Sequence, residues 1–299
     1  MRLATFTSSG FTRIGVIVDD MVVDLSRAAP ELPTDMVALL DAGEAAMDLV
    51  RRAAKRWEGA IPLATVRLEA PVLRPRKFLG IGANYRPKSG PTGMAGISDE
   101  EMQKIMVFLE DMQAKGNQMW FNKQVTCVNG PFDAMEIPNV SEELIYEVEL
   151  AFVIGKRCRH VTRQNAPKVI AGYLICNDVT VVDWSRRSPT ATLGKSFDTH
   201  GPIGPWIVTT DEIGNPHSLG MRSYVNGIER QNGNTADMIF DCFDMVAYLS
   251  QVFTLEPGDI LTTGTPSPVK EFLKEGDVVR CEIEHIGHIE NIVAKEATP

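Results

Sequence analysis

At 299 residues the chain can bury a sizeable core, as one large domain or as a small domain joined to a larger one. Its hydrophobic content of 44% is ordinary, no apolar run approaches the roughly 20 residues that span a bilayer, and the N-terminus lacks a signal-peptide layout, so a soluble, cytoplasmic protein with no membrane partner is expected. A formal charge of -9 without a Lys/Arg cluster argues against nucleic acid as a partner and leaves small anionic substrates open.

In chain order, Arg13–Val18, Asp19-Asp20 and Met21–Leu25 read as a β-hairpin, and a helix is expected from about Thr34 to Arg56. The Pro-containing stretch 71–75 suits neither regular structure, which places a domain boundary there: an α+β unit at 1–72 and a larger unit at 73–299. Lys77–Gly82 reads as a strand, followed by Ala83-Asn84-Tyr85 and a Pro/Gly-rich loop from Pro87 to Gly96. Ser98 and Glu101 form a capping box. Met102, Ile105, Met106, Leu109 and Met112 then recur at helical spacing until Gly116. This methionine stripe is a packing face in the simplest reading and a movable lid, spanning 86–120, in the other.

The segment Ile145–Ile154 reads as one strand carrying Glu147 and Glu149 at i and i+2 among apolar side chains. Alternation puts both glutamates on one face with Ile145, Ala151 and Val153, and Tyr146, Val148, Leu150, Phe152 and Ile154 on the other. Two carboxylates a pleat apart repel and resist burial unless they are protonated, solvated or bound to a cation. A second apolar strand, 171–177, delivers Asp178 at its end. Three carboxylates with no neighbouring Cys or His favour Mg²⁺, Mn²⁺ or Ca²⁺ over zinc. The five cysteines are widely spaced without a C-x-x-C pair and read as reduced core thiols.

Lys195, in Gly194-Lys195-Ser196-Phe197-Asp198, is a cation that could serve an anionic intermediate. Pro189 stands where a phosphate-binding G-x-x-x-x-G-K-S loop needs glycine, which weakens the nucleotide reading. Further strands are expected at 203–209, 221–226, 259–263 and 278–294, with a helix near Asp241–Phe253. The strand at 259–263 ends in Gly264-Thr265-Pro266, where a backbone N–H and a hydroxyl could meet a substrate carboxylate.

As a set, Glu147, Glu149, Asp178, the Gly-Lys-Ser-Phe-Asp lysine and the Thr263–Pro266 turn resemble the fumarylacetoacetate hydrolase family. So do Gly82-x-Asn84-Tyr85, Gly155-Lys156, Gly204-Pro205 and Leu255-x-Pro257-Gly258-Asp259, in order from about Lys77 to the C-terminus. The resemblance implies an α+β, mostly β protein with a mixed β-roll catalytic domain, a small N-terminal domain and a homodimer. It also implies a divalent metal on Glu147, Glu149 and Asp178, and a small 2-oxo acid or β-diketo acid as substrate. Lys195 is then the partner of a developing oxyanion, and Tyr85, Arg186, Gly264 and Thr265 are the expected substrate contacts.

Two features depart from the family pattern. Lys88 and Pro91 occupy positions where small members carry His and Glu, which leaves His200, Glu100 and Glu101 as candidate bases. Val182 stands where an arginine is expected, ahead of Ser185-Arg186-Arg187-Ser188. The expected activity is hydrolysis of a C–C bond in an acylpyruvate-like substrate through a metal-stabilised enolate. A decarboxylase, isomerase or dehydratase is the alternative, and a metal-binding relative without turnover is the third.

Overall fold

The computed structural model describes residues 1–56, 60–86 and 94–297, so most of the Pro87–Gly96 loop, with Lys88 and Pro91, lies outside the described residues. The fold is β-rich α+β, built on a twelve-stranded sheet. Its central path runs Ala60–Pro62, Met21–Asp24, Phe11–Val18, Arg2–Ser8, Gly201–Thr209, Ile170–Asn177, Val148–Ile154, Ile260–Thr262, Phe78–Ile81, Trp120–Lys123. The N-terminal strands therefore continue the sheet that carries the glutamates, through Arg2 and Leu3 paired with Val208 and Ile207. A five-stranded sheet, Ile228–Asn234, Gly220–Val225, Val278–Ile283, Gly287–Lys295 and Met135–Ile137, packs against it.

Every residue of Val148–Ile154 is buried, which explains why this strand is apolar on both faces. Val148, Leu150, Phe152 and Ile154 enter the core shared with the five-stranded sheet and helix Cys242–Val252. Ala151 and Val153 enter a second core shared with Leu3, Leu25, Leu39 and Val50 of the N-terminal region. The strand is thus the wall between two cores. Truncating Phe152 to alanine removes contacts worth about 3–5 kcal/mol at a site closed on all sides.

Three expected elements differ in detail. The strand foreseen over Ile145–Ile154 is interrupted: Leu144–Ile145 pairs with Thr180–Val181, and a separate strand starts at Val148. Tyr146 and Glu147 form the break, and the alternation fails there, since Ile145 joins Tyr146 in the first core rather than Ala151 in the second. The helix expected over 34–56 is two helices, Met36–Asp41 and Gly43–Arg56, because Gly43 adopts φ +74° and turns the chain between them. The run 278–294 is a hairpin, Val278–Ile283 and Gly287–Lys295, turned at His285. The capping box at Ser98 and Glu101 forms as read and opens helix Asp99–Ala114. Among the described residues no helix is long and apolar enough to cross a membrane.

Candidate metal centre

Glu147 stands in the break before its strand, Glu149 on the strand, and Asp178 just beyond the end of neighbouring strand Ile170–Asn177. The register Val148↔Asn177 brings the three carboxylates to one end of the sheet, where oxygens from all three lie within 4.8 Å of one another. All three residues are buried. The donor set is oxygen only, converging and anionic, which fits a hard divalent cation.

Two lysines answer the charge. Lys195 Nζ donates to Glu147 Oε2 at 2.5 Å and to Asp178 Oδ2 at 2.5 Å. Lys123 Nζ donates to Asp178 Oδ1 at 2.7 Å and is fully buried. Aromatic rings back both ammoniums: Lys195 lies 5.0 Å from the Phe121 ring centre and Lys123 5.9 Å from that of Phe78. Phe121 and Lys123 share the inward face of strand Trp120–Lys123, opposite Gly80 and Phe78. Lys195 is brought to the carboxylates by Gly194, whose carbonyl accepts the Val181 N–H; a Cβ there would stand 2.4 Å from the Ser185 nitrogen.

The protonation pattern follows from this arrangement. Burial raises the Asp178 carboxyl, yet Lys123 and Lys195 together hold it below its ordinary value, so it is ionised. Burial lowers both ammoniums, but Asp178, with Glu147 and Glu149 also acting on Lys195, raises them above the ordinary lysine value. Glu147 is raised by burial, against the pull of Lys195. Burial, Asp178 and Glu147 push Glu149 well above the usual carboxylate range. Two ammoniums against three ionised carboxylates leave one negative charge, which favours the neutral form of Glu149. A divalent cation on the ionised trio would leave the centre one positive charge, which a substrate carboxylate can balance.

Backbone and amide groups hold the carboxylates. The Glu147 N–H donates to Asn177 Oδ1 at 3.0 Å, and the Gly264 N–H donates to Glu149 Oε2 at 2.8 Å. The Thr265 hydroxyl donates to the Val148 carbonyl and accepts from Gln231. The Thr-Gly-Thr-Pro turn, read as a substrate clamp, thus has its Gly264 N–H on a metal-centre carboxylate and its Thr265 hydroxyl on the strand between the glutamates. Tyr85 is buried, with its hydroxyl 3.3 Å from Met221 Sδ and 3.5 Å from Thr263 Oγ1. Arg186 is half exposed and paired with Glu143 at 3.2 Å, on segments that run into Glu147 and Asp178.

Among the described residues none of the three candidate bases hydrogen-bonds Glu147, Glu149 or Asp178, although Lys123 and Asp178 act on His200 electrostatically. His200 is fully buried, its Nε2 2.7 Å from the Glu136 carbonyl, and burial lowers its pKa to about 4. It is therefore neutral, donating from Nε2 to that carbonyl. Glu100 is exposed and pairs with Lys104, one turn on in the same helix; Glu101 accepts from the Ser98 N–H and hydroxyl. Lys123, Asn177 and Gln231 are site residues that the reading of the sequence did not select. A lysine on the inward face of a short strand, as in Trp-Phe-Asn-Lys, was the available signal for the first.

Residues 77–294 match the family model described as fumarylacetoacetate (FAA) hydrolase C-terminal. The chain is 39% identical over 279 residues to the mitochondrial oxaloacetate tautomerase Fahd2a of Rattus norvegicus, covering 91% of this chain and 83% of that one. Among solved structures it is similar to maleylpyruvate hydrolase from Sphingobium sp. SYK-6 in complex with manganese (II) ion and pyruvate, at TM-score 0.80 and 33% identity, covering 99% and 100%. It is also similar to 2-hydroxyhepta-2,4-diene-1,7-dioate isomerase from Mycobacterium marinum, at TM-score 0.74 and 29% identity, covering 100% of both chains.

Proposed function

Because this chain belongs to the fumarylacetoacetate hydrolase family, we propose that it is a divalent-metal-dependent enzyme that interconverts the keto and enol forms of a small 2-oxo acid. Glu147, Glu149 and Asp178 would hold the ion, and we assign Mg²⁺, with Mn²⁺ interchangeable, because the donors are all hard oxygens. When bound, the ion supplies Lewis-acid stabilisation of an enolate oxygen and a template for the adjacent carboxylate.

The residues of the chain supply the rest. Lys195 stays protonated and offers a fixed ammonium to the oxygen on which charge develops. Lys123 keeps Asp178 ionised without itself facing solvent. Arg186, half exposed, is the cation assigned to the far end of the substrate, and Tyr85 borders the turn that carries Gly264.

The observation that favours tautomerisation over hydrolysis is the inventory around the carboxylates. Tautomerisation moves one proton between carbon and enol oxygen by way of an acid–base group or solvent and breaks no C–C bond, whereas C–C hydrolysis needs in addition a base that turns water into a nucleophile. The first histidine in the chain is His160, so the whole 86–120 segment has none, and His200 is turned onto a backbone carbonyl. Hydrolysis of an acylpyruvate is the second reading, favoured by the near-complete overlap with the maleylpyruvate hydrolase.

One assay separates the two. Purified protein with Mg²⁺ is expected to accelerate conversion of enol-oxaloacetate to the keto form, with the acceleration lost in chelator, and to release no pyruvate from a panel of acylpyruvates. Pyruvate release without faster tautomerisation would reverse the order of the two readings.

A further inference from the structure

We propose that Gln231, on strand Ile228–Asn234 of the five-stranded sheet, is a positioning residue that sets the spacing of Glu147 and Glu149 for the metal, an inference that rests on reading those glutamates as ligands. Val148 lies between them. On one side it is in register with Asn177; on the other, the neighbouring strand Ile260–Thr262 reaches only as far as Ala151. From there the Thr263 N–H bonds the Leu150 carbonyl and the Gly264 N–H bonds Glu149. At Val148 no strand is left to pair with.

Two side chains stand in for it. The Val148 N–H donates to Gln231 Oε1 at 3.2 Å, and the Val148 carbonyl accepts from the Thr265 hydroxyl at 3.0 Å. Gln231 Nε2 donates to that Thr265 oxygen at 2.8 Å, which closes a ring of hydrogen bonds around Val148, the one residue between the ligands. The amide has its remaining capacity filled as well: Oε1 accepts from Ser223 at 3.0 Å and Nε2 donates to the Ser267 carbonyl at 2.5 Å. A backbone N–H on one end and a carbonyl on the other fix which atom is oxygen and which nitrogen. Gln231 is 2% exposed, and its strand lies directly on the turn, since a Cβ on Gly233 would stand 2.2 Å from Pro266. Rotation of the Val148 peptides would swing Glu147 and Glu149 relative to each other, and this ring resists it.

The test is calorimetric titration of Mn²⁺ into the full chain, with the melting midpoint of each variant measured separately in chelator. Gln231→Leu and Thr265→Val are each expected to weaken Mn²⁺ by about tenfold or more, the range found for residues that orient metal ligands, while Thr265→Ser, which keeps the hydroxyl, restores it. If Gln231→Leu does not fold, Thr265→Val against Thr265→Ser decides. Affinities of both variants within about twofold of the native protein, far inside that range, would overturn the positioning role whatever happens to the melting midpoint. Glu147→Gln separates the two levels. Its loss of Mn²⁺ binding beside unaffected Gln231 variants removes this proposal alone, and native-like binding by Glu147→Gln removes the metal reading and this proposal with it.

Discussion

The carboxylates at the end of the central sheet and those on helix Asp99–Ala114 are the same functional group put to opposite uses. Glu147, Glu149 and Asp178 are buried and held by partners from five separate stretches of chain: Lys123, Asn177, Lys195 and Gly264 directly, and Gln231 with Thr265, the neighbour of Gly264, through Val148. Glu100 and Glu101 are exposed, and their hydrogen bonds run to Lys104 and Ser98 of their own helix and its cap. Burial turns a carboxylate into a long-range constraint, because each charge removed from water has to be met by a group the fold brings from elsewhere. Exposure leaves it a local one.

The sharpest way to break this contrast is Glu149→Gln. Burial and the neighbouring Asp178 and Glu147 hold the Glu149 carboxyl well above the usual carboxylate range, so a neutral isostere is expected to keep the fold while removing a ligand. Metal affinity and turnover are both expected to fall by more than about 100-fold, beyond the range for groups outside the ligand set. The raised Glu149 carboxyl gives a pH signature: proton and cation compete for the same oxygens, so metal affinity is expected to fall as pH is lowered, read by calorimetry across a pH series. Affinity independent of pH would contradict the upward shift.

Lys195→Met is expected to lower kcat by about 10²–10³, the loss seen when one donor to a developing oxyanion is removed, with a smaller change in KM. Lys123→Met differs in kind. It leaves the buried Asp178 short of a partner and should cost about 3–5 kcal/mol of stability by denaturant unfolding.

His200 tests the buried side through pH. Its folded pKa of about 4 lies below the ordinary histidine value, so the folded protein excludes a proton that the unfolded chain takes up. The stabilisation is complete above about pH 6.5 and is lost progressively as pH falls toward 4, by roughly 3 kcal/mol. His200→Asn should flatten the unfolding midpoint between pH 7 and 4.5 while leaving turnover at pH 7 close to native. A large loss of turnover at neutral pH would instead make His200 the base.

The smallest effects belong to the helix. Glu100→Gln and Glu101→Gln are expected to leave kcat near native, whereas a general base would lose about 10²–10⁴ on the same change. Ser98→Ala removes the helix cap and should reduce local amide protection by about 1 kcal/mol without touching metal affinity.

The strands, the capped helices and the acidic trio were legible in the sequence because each announces itself within a few residues. Period-two apolar runs mark strands, Ser98 and Glu101 mark a helix start, and a carboxylate inside an apolar strand is conspicuous through its desolvation cost. The break at Tyr146 and Glu147 was hidden, because its cause is the pairing of Leu144–Ile145 with a strand beyond Asp178. Gly264 and Thr265 were singled out at the end of their strand, but their hydrogen bonds run to Glu149 and Val148, which no local pattern reveals.

What the amino-acid order determined by itself is therefore which groups must be buried or capped, since hydrophobic periodicity and charge are properties of neighbouring residues. The tertiary structure alone decided which cation meets which carboxylate and which amide holds the peptide between the glutamates. Lys123, Gln231 and the Thr263–Pro266 turn lie on separate strands and turns, and only sheet register brings them to one end of the molecule. Compensation of buried charge acts through space, so the sequence around Lys123 or Lys195 marks a cation without saying which carboxylate it meets.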